Sequence, residues 1–215
     1  MNGSESTLVT VYTSSEPSKS ALEPGFLRLA VAGEAGLLLL AWGLARWLNI
    51  SPLDQLRPTG GGLVWGIIAT APLVLALRWM LTSSLPPIRR LVALVIAQLG
   101  RLVALSSVPG LAALATIAAI SEETLFRGVI QVALTESFSP TGSLFVTSLL
   151  FGLVHCASRA YVGFAVLMGL YLGTLFVLME NLLAPIITHA LYDFVALLYL
   201  AQRYRRGPGE SSFTP

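Results

Sequence analysis

Six side chains in this sequence could do acid–base or metal chemistry, and all six sit in or beside apolar stretches. Glu122, Glu123 and Arg127 lie at the end of one such stretch, His155 lies in a second, and His189 and Asp193 lie in a third. His155 and His189 are the chain's 2 histidines. The spacing is helical. Glu123 and Arg127 are four residues apart, share a face and can pair. Glu122 is turned about 100° from Glu123 and can point elsewhere. His189 and Asp193 again share a face. Hydrolysis of a peptide bond needs a base for water and a donor for the developing oxyanion, and glutamate with histidine can supply both. Two histidines and a glutamate, here Glu122, His155 and His189, are also a set that could bind zinc.

The composition explains why these residues stand out. Of 215 residues 55% are hydrophobic and 11% charged, against about 25% charged in an ordinary soluble domain. Mean hydropathy is +0.77. So little polar surface excludes a soluble globule, a disordered chain and a disulfide scaffold, and points to an all-α polytopic membrane helix bundle. Net charge is only +2, and the arginines form no stripe, so no nucleic-acid partner is expected. Cys156 is the single cysteine, which excludes an intrachain disulfide and a multi-cysteine metal site. Each charge near a bilayer centre costs roughly 2.5–3.5 kcal/mol on insertion scales. Six ionisable groups in one small bundle therefore require partners or a wet cavity.

The elements that must position them are apolar stretches punctuated by charge. Residues 29–50, 58–77, 102–121, 137–158, 160–179 and 182–202 are each long enough to span, which predicts about six transmembrane helices. Residues 91–100 are short and flanked by arginine, and read as an amphipathic or interfacial segment. If they cross, the number becomes seven or eight. Residues 1–24 and 203–215 read as disordered tails. Residues 25–106 hold the first two spans and the interfacial segment, and residues 107–202 hold a helical catalytic core. Glu122, His155, His189 and Asp193 are expected within a few residues of their span centres. Basic residues gather on the side that holds Lys19, Arg28, Arg89, Arg90, Arg159, Arg203, Arg205 and Arg206, which places both termini in the cytoplasm. Gly169 and Gly173 form a GxxxG through which another helix can approach closely. Glu34, in the first span, reads as structural.

The same residues form three ordered motifs. Glu122-Glu123-Thr124-Leu125-Phe126-Arg127 resembles the EExxxR motif of the CPBP family, which includes the type II CAAX prenyl endopeptidases and the lysostaphin-resistance-like proteins. Phe151-Gly152-Leu153-Val154-His155 is similar to that family's FxxxH. His189-Ala190-Leu191-Tyr192-Asp193 is similar to its third motif, a histidine followed four residues later by Asn or Asp. The resemblance covers about residues 110–200. It implies an intramembrane endopeptidase in which Glu122, helped by His155, activates water. His189 and Asp193 would stabilise the oxyanion, and Glu123 and Arg127 would support the site. No cofactor is required in that version; a zinc-dependent version would use Glu122, His155 and His189 as ligands. Asp193 departs from the commoner Asn, because an ionised aspartate cannot donate a hydrogen bond to an oxyanion.

Two other classes fit the same sequence: a non-proteolytic scaffold or immunity protein retaining the family fold, and a small ion or metal carrier. No inverted repeat supports the carrier. For the enzyme, the expected partners are the lipid bilayer and a membrane peptide or lipidated protein substrate, with a bacterial inner membrane as the expected location.

Overall fold

A computed structural model describes residues 19–206. Of the tails expected at 1–24 and 203–215, residues 1–18 and 207–215 lie outside the described residues. All eight α-helices among the described residues follow in chain order: α1 (Lys19–Leu48), α2 (Gly60–Thr82), α3 (Pro86–Ala104), α4 (Val108–Glu123), α5 (Val132–Ser137), α6 (Pro140–Val154), α7 (Arg159–Met179) and α8 (Leu183–Arg206). A π-helical segment, Thr124–Gln131, joins α4 to α5 into one continuous rod. The chain is an integral, multi-pass membrane protein: five helical stretches, Arg28–Leu48, Gly60–Thr82, Val108–Ser137, Arg159–Met179 and Leu183–Arg205, are long and apolar enough to cross a bilayer.

The sixth expected span is shorter than its composition suggested. Residues 137–158 carry no charged residue apart from His155, yet α6 occupies only Pro140–Val154, about 22 Å at 1.5 Å per residue. Ser139 caps its start, accepting from Gly142 N at 3.1 Å, with Pro140 in the first turn. At the other end Ser158 caps α7 by accepting from Tyr161 N at 3.1 Å. The reversal between the two helices uses residues 155–158. His155 is therefore the residue that ends α6, with φ −94° and ψ 39°, and not a group near a span centre.

The third expected span also shifts. Residues 102–104 belong to α3, and the chain breaks before Ser107, whose hydroxyl accepts from Gly110 N at 3.2 Å to start α4. The rod then runs to Ser137, which moves Glu122 to its middle. The segment expected as interfacial at 91–100 is the centre of the 19-residue α3, which lies against α8 and buries Leu91 and Val103. The boundary expected near residue 106 falls in the α3–α4 connection, and helices from both sides of it pack together: α1 on α4, α2 and α3 on α8. Helix starts before residue 24 and continues past residue 203.

Two backbone adjustments hold the bundle closely. Pro72 interrupts the hydrogen-bond ladder of α2, and hydroxyls from neighbouring turns and helices supply bonds nearby. Thr70 and Thr188 both donate to the Gly66 carbonyl at 2.9 Å, and Tyr171 donates to the Ala69 carbonyl at 2.7 Å. The GxxxG of α7 meets α6, as its spacing predicts: a Cβ added at Gly169 would stand 3.0 Å from Ser148 Cα and 3.2 Å from its carbonyl oxygen.

At one end of the bundle Asn181 ties the α7–α8 turn to the α1–α2 loop. It donates to the Arg57 carbonyl at 2.8 Å and accepts from Arg57 N at 3.1 Å. At the other end Arg205 donates to the carbonyls of Ala104 and Ser106 at 3.0 and 3.3 Å.

The α6–α7 contact yields a paired test. Gly169→Ala pushes against backbone that cannot swing aside, and is expected to cost about 1–3 kcal/mol, read as a lower thermal midpoint in detergent. Gly163→Ala on the same helix meets nothing within 4 Å and is expected to be neutral or to stabilise by up to about 1 kcal/mol. Equal midpoints for the two variants would contradict the close approach.

Candidate active site

The site is assembled where the rod, α6, α7 and α8 meet. Its floor is a buried ion pair. Arg127 donates from NH1 to Glu123 Oε1 at 2.9 Å, and both side chains are fully shielded from solvent. From NH2 Arg127 donates to the Gly169 carbonyl on α7 at 3.0 Å, and its guanidinium lies 4.6 Å from the centre of the Phe151 ring on α6. The missing Cβ at Gly169 therefore serves two contacts: it admits the α6 backbone, and it lets α7 come near enough to offer its carbonyl to Arg127. One turn further on, Gln131 repeats the pattern, donating to the Gly173 carbonyl at 3.4 Å.

Glu123 reaches a third helix. Its Oε1 also accepts from His189 Nδ1 at 2.8 Å. His155 is oriented in the same way by a different group, its Nδ1 lying 2.7 Å from the Phe151 carbonyl. A carbonyl only accepts, so that nitrogen carries the proton. Both imidazoles thus have Nδ1–H committed to a fixed acceptor, and both turn Nε2 toward the cavity.

Glu122 is the group they face. Its Oε2 stands 3.8 Å from His155 Nε2 and 4.0 Å from His189 Nε2. That oxygen is buried and has no hydrogen-bond partner. Asp193 closes the circle, with Oδ2 at 3.4 Å from His189 Nε2. The six residues singled out by type and spacing are therefore together, in two tiers. Arg127 and Glu123 are sealed beneath, and Glu122, His155, His189 and Asp193 line a cavity of about 290 Å³. The rest of its wall is apolar and aromatic, from α2, α3, α7 and α8. The arrangement can hold a water against a carboxylate in a low-dielectric pocket, with imidazoles on two sides.

The zinc set expected from Glu122, His155 and His189 can be compared with this geometry. Zinc at about 2.0–2.1 Å from each donor brings tetrahedral ligand atoms to about 3.4 Å of one another. Here they stand 3.8 and 4.0 Å apart, and Asp193 already faces the free nitrogen of His189. Among the described residues no group of three or more His, Cys, Asp or Glu side chains is placed to hold a metal ion. As arranged, the set is wider than a tetrahedral zinc set by about half an ångström.

Some contacts of the site have weak signals in the sequence. Glu34 of α1 hydrogen-bonds the hydroxyl of Ser121, the residue before Glu122. An isolated acid in a first span gives no hint of its partner 87 residues away. Gln131 was recoverable in principle: Arg127/Gln131 and Gly169/Gly173 have the same four-residue spacing.

Comparison with known proteins agrees with the motif reading. Residues 104–195 match the family model described as type II CAAX prenyl endopeptidase Rce1-like. All three motifs fall inside the match. No curated protein and no solved structure matches the chain.

The buried pair can be tested by stability. Arg127→Gln leaves Glu123 sealed without its countercharge and is expected to cost about 3–5 kcal/mol, seen as a large fall in the detergent melting midpoint. An unchanged midpoint would show that the pair does not hold the bundle.

Proposed function

We propose that this chain, whose residues 104–195 are an Rce1-like domain of the CPBP family, is an intramembrane endopeptidase that hydrolyses a peptide bond in a membrane-associated or lipidated substrate. The observation that carries the reading is Glu122 Oε2: a buried carboxylate oxygen without a partner, facing two oriented imidazoles in a cavity.

The proposed step uses a water beside Glu122. Its two hydrogens go to Glu122 Oε2 and to His155 Nε2, the acceptor left once Nδ1–H is given to Phe151. The water oxygen attacks the carbonyl carbon and one proton passes to Glu122. The carbonyl electrons move onto oxygen, and the resulting oxyanion is met on the His189 side. Collapse breaks the C–N bond, and Glu122 returns its proton to the leaving amine. Glu123 and Arg127 do not touch the substrate; they fix His189 and the rod. Preorganised groups of this kind, in a site from which water is largely excluded, supply the largest part of such catalysis.

The substrate proposed from the family description is a CAAX-type peptide whose lipid lies against the apolar wall, with a bacteriocin-type leader or another membrane peptide as the alternative. Both termini are proposed to be cytoplasmic, and the location a bacterial inner membrane. The Arg205 contacts put the end of α8 beside the α3–α4 connection, consistent with one basic-rich side.

Two outcomes test the proposal, with a fluorogenic farnesylated CAAX peptide as substrate. Glu122→Gln is expected to abolish cleavage while the protein still inserts and elutes as the wild type does. Undiminished cleavage by that variant ends the catalytic reading of Glu122, whereas Glu122 and His155 variants that complement a deletion as well as the wild type favour a scaffold. Cleavage is also expected to survive a strong chelator, with less than stoichiometric zinc in the purified protein by elemental analysis. Loss of activity on chelation, restored by zinc, would overturn the metal-free mechanism.

A further inference from the structure

The oxyanion side of this cavity is short of a donor. His189 has one free ring nitrogen, and Asp193 Oδ2 already faces it at 3.4 Å. An entering oxyanion must compete with a carboxylate for any hydrogen on that nitrogen, and an ionised Asp193 repels it. Three phenols line the cavity, those of Tyr161, Tyr192 and Tyr199, and among the described residues none has a hydrogen-bond partner; Tyr161 is the one whose ring stands beside an imidazole of the site. Tyr161 lines the same cavity as Glu122, His155, His189 and Asp193. It stands in the first turn of α7, and Ser158 fixes its backbone N–H at 3.1 Å. Its ring is stacked with Phe164 at 6.3 Å and lies 6.2 Å from the His155 ring. Its phenol is within electrostatic reach of both Asp193 and Glu122. Among the described residues its hydroxyl has no hydrogen-bond partner, although a half-buried tyrosine hydroxyl usually finds one. Tyr192 and Tyr199 line the cavity too, but the ring contact of Tyr192 is with Phe164 at 6.4 Å, and neither ring is paired with His155 or His189 among the described residues.

We infer that Tyr161 is a further catalytic residue, whose phenolic O–H donates to the oxyanion in the place where Asp193 cannot. The inference rests on the endopeptidase reading. When the C=O electrons move onto oxygen, the phenol hydrogen-bonds that oxygen and keeps its own proton, so nothing is consumed. The hydroxyl has no other bond to break, so it is free for the transition state. The aspartate and the tyrosine are then linked: an amide at position 193 would bring its own donor and make the phenol dispensable.

The test is kinetic, with the farnesylated CAAX peptide and the full chain in detergent. Tyr161→Phe keeps the ring and its stacking and removes only the hydroxyl. It is expected to lower kcat roughly 100-fold, the usual effect of losing one oxyanion donor, with KM within about twofold. In an Asp193→Asn background the same substitution is expected to cost less than about tenfold. A second measurement needs no turnover: Tyr161→Phe should weaken binding of a peptidyl phosphinate, a tetrahedral mimic, more than binding of the matching uncleaved peptide. Tyr161→Phe at wild-type kcat, or an equal loss in both backgrounds, or equal weakening of the two ligands, overturns the assignment. Undiminished cleavage by Glu122→Gln would instead sink the Glu122 mechanism on which the inference rests, so the two failures are distinguishable.

Discussion

A guanidinium and a carboxylate with no contact with solvent, inside a bundle built for lipid, are the constraint that the rest of this structure answers. Separately, Arg127 and Glu123 would each cost several kcal/mol to bury. Together their charges are matched, and three further contacts come from three different helices, while Glu123 Oε2 and Arg127 Nε are left without a hydrogen-bond partner among the described residues. Gly169 on α7 offers a carbonyl, Phe151 on α6 offers a ring face, and His189 on α8 offers an N–H. The pair therefore fixes three helices against the rod at one level. It orients His189 directly through Glu123. It orients His155 only indirectly, because Phe151, which packs beneath Arg127, also holds His155 through its own carbonyl.

Two adjacent glutamates have opposite fates for a simple geometric reason. A step of one residue turns the side chain about 100°, so Glu123 faces the sealed arginine while Glu122 faces the cavity. The first has its charge matched by Arg127. The second is left with an oxygen that nothing in the protein pairs. The widened π turns begin immediately after this pair, and Thr124 N is shared between the carbonyls of Ile120 and Ser121. π-helical insertions of this kind recur at functional sites. Here the π segment begins just after the two carboxylates and contains the arginine that one of them binds.

Much of this was legible in the sequence because the bilayer makes ionisable residues conspicuous. In a soluble protein Glu122, His155 and Asp193 would be lost among many surface charges. In this chain their type and spacing were enough to group them, and helical periodicity was enough to pair Glu123 with Arg127. Helix ends were less legible. Hydropathy reports which residues tolerate lipid and says little about where a backbone stops, so residues 155–158 looked like the tail of a span. Ser158 and Pro140, the groups that set the limits of α6 and α7, have ordinary local signals, but a continuous apolar run conceals them. The Glu34–Ser121 contact was not legible at all, since it depends on how α1 lies on α4 and no local pattern encodes that.

The cavity divides its wall between two parts of the chain. Every acid and imidazole lining it, from Glu122 to Asp193, lies within residues 104–195, the stretch that matches the Rce1-like model. Much of its apolar wall comes from outside that stretch: Leu77 and Met80 on α2, and Val92, Val95 and Ile96 on α3. Hydrolytic chemistry admits few alternatives in residue type or placement, whereas an apolar wall can be built from many sequences of similar volume. Residues 25–103 thus determine the shape and length of what lies against the acid–base groups, without contributing any of those groups. A match to a family of peptidases speaks to the polar half of the cavity. The apolar half is shared by α2, α3, α7 and α8, and its α2 and α3 part lies outside the match.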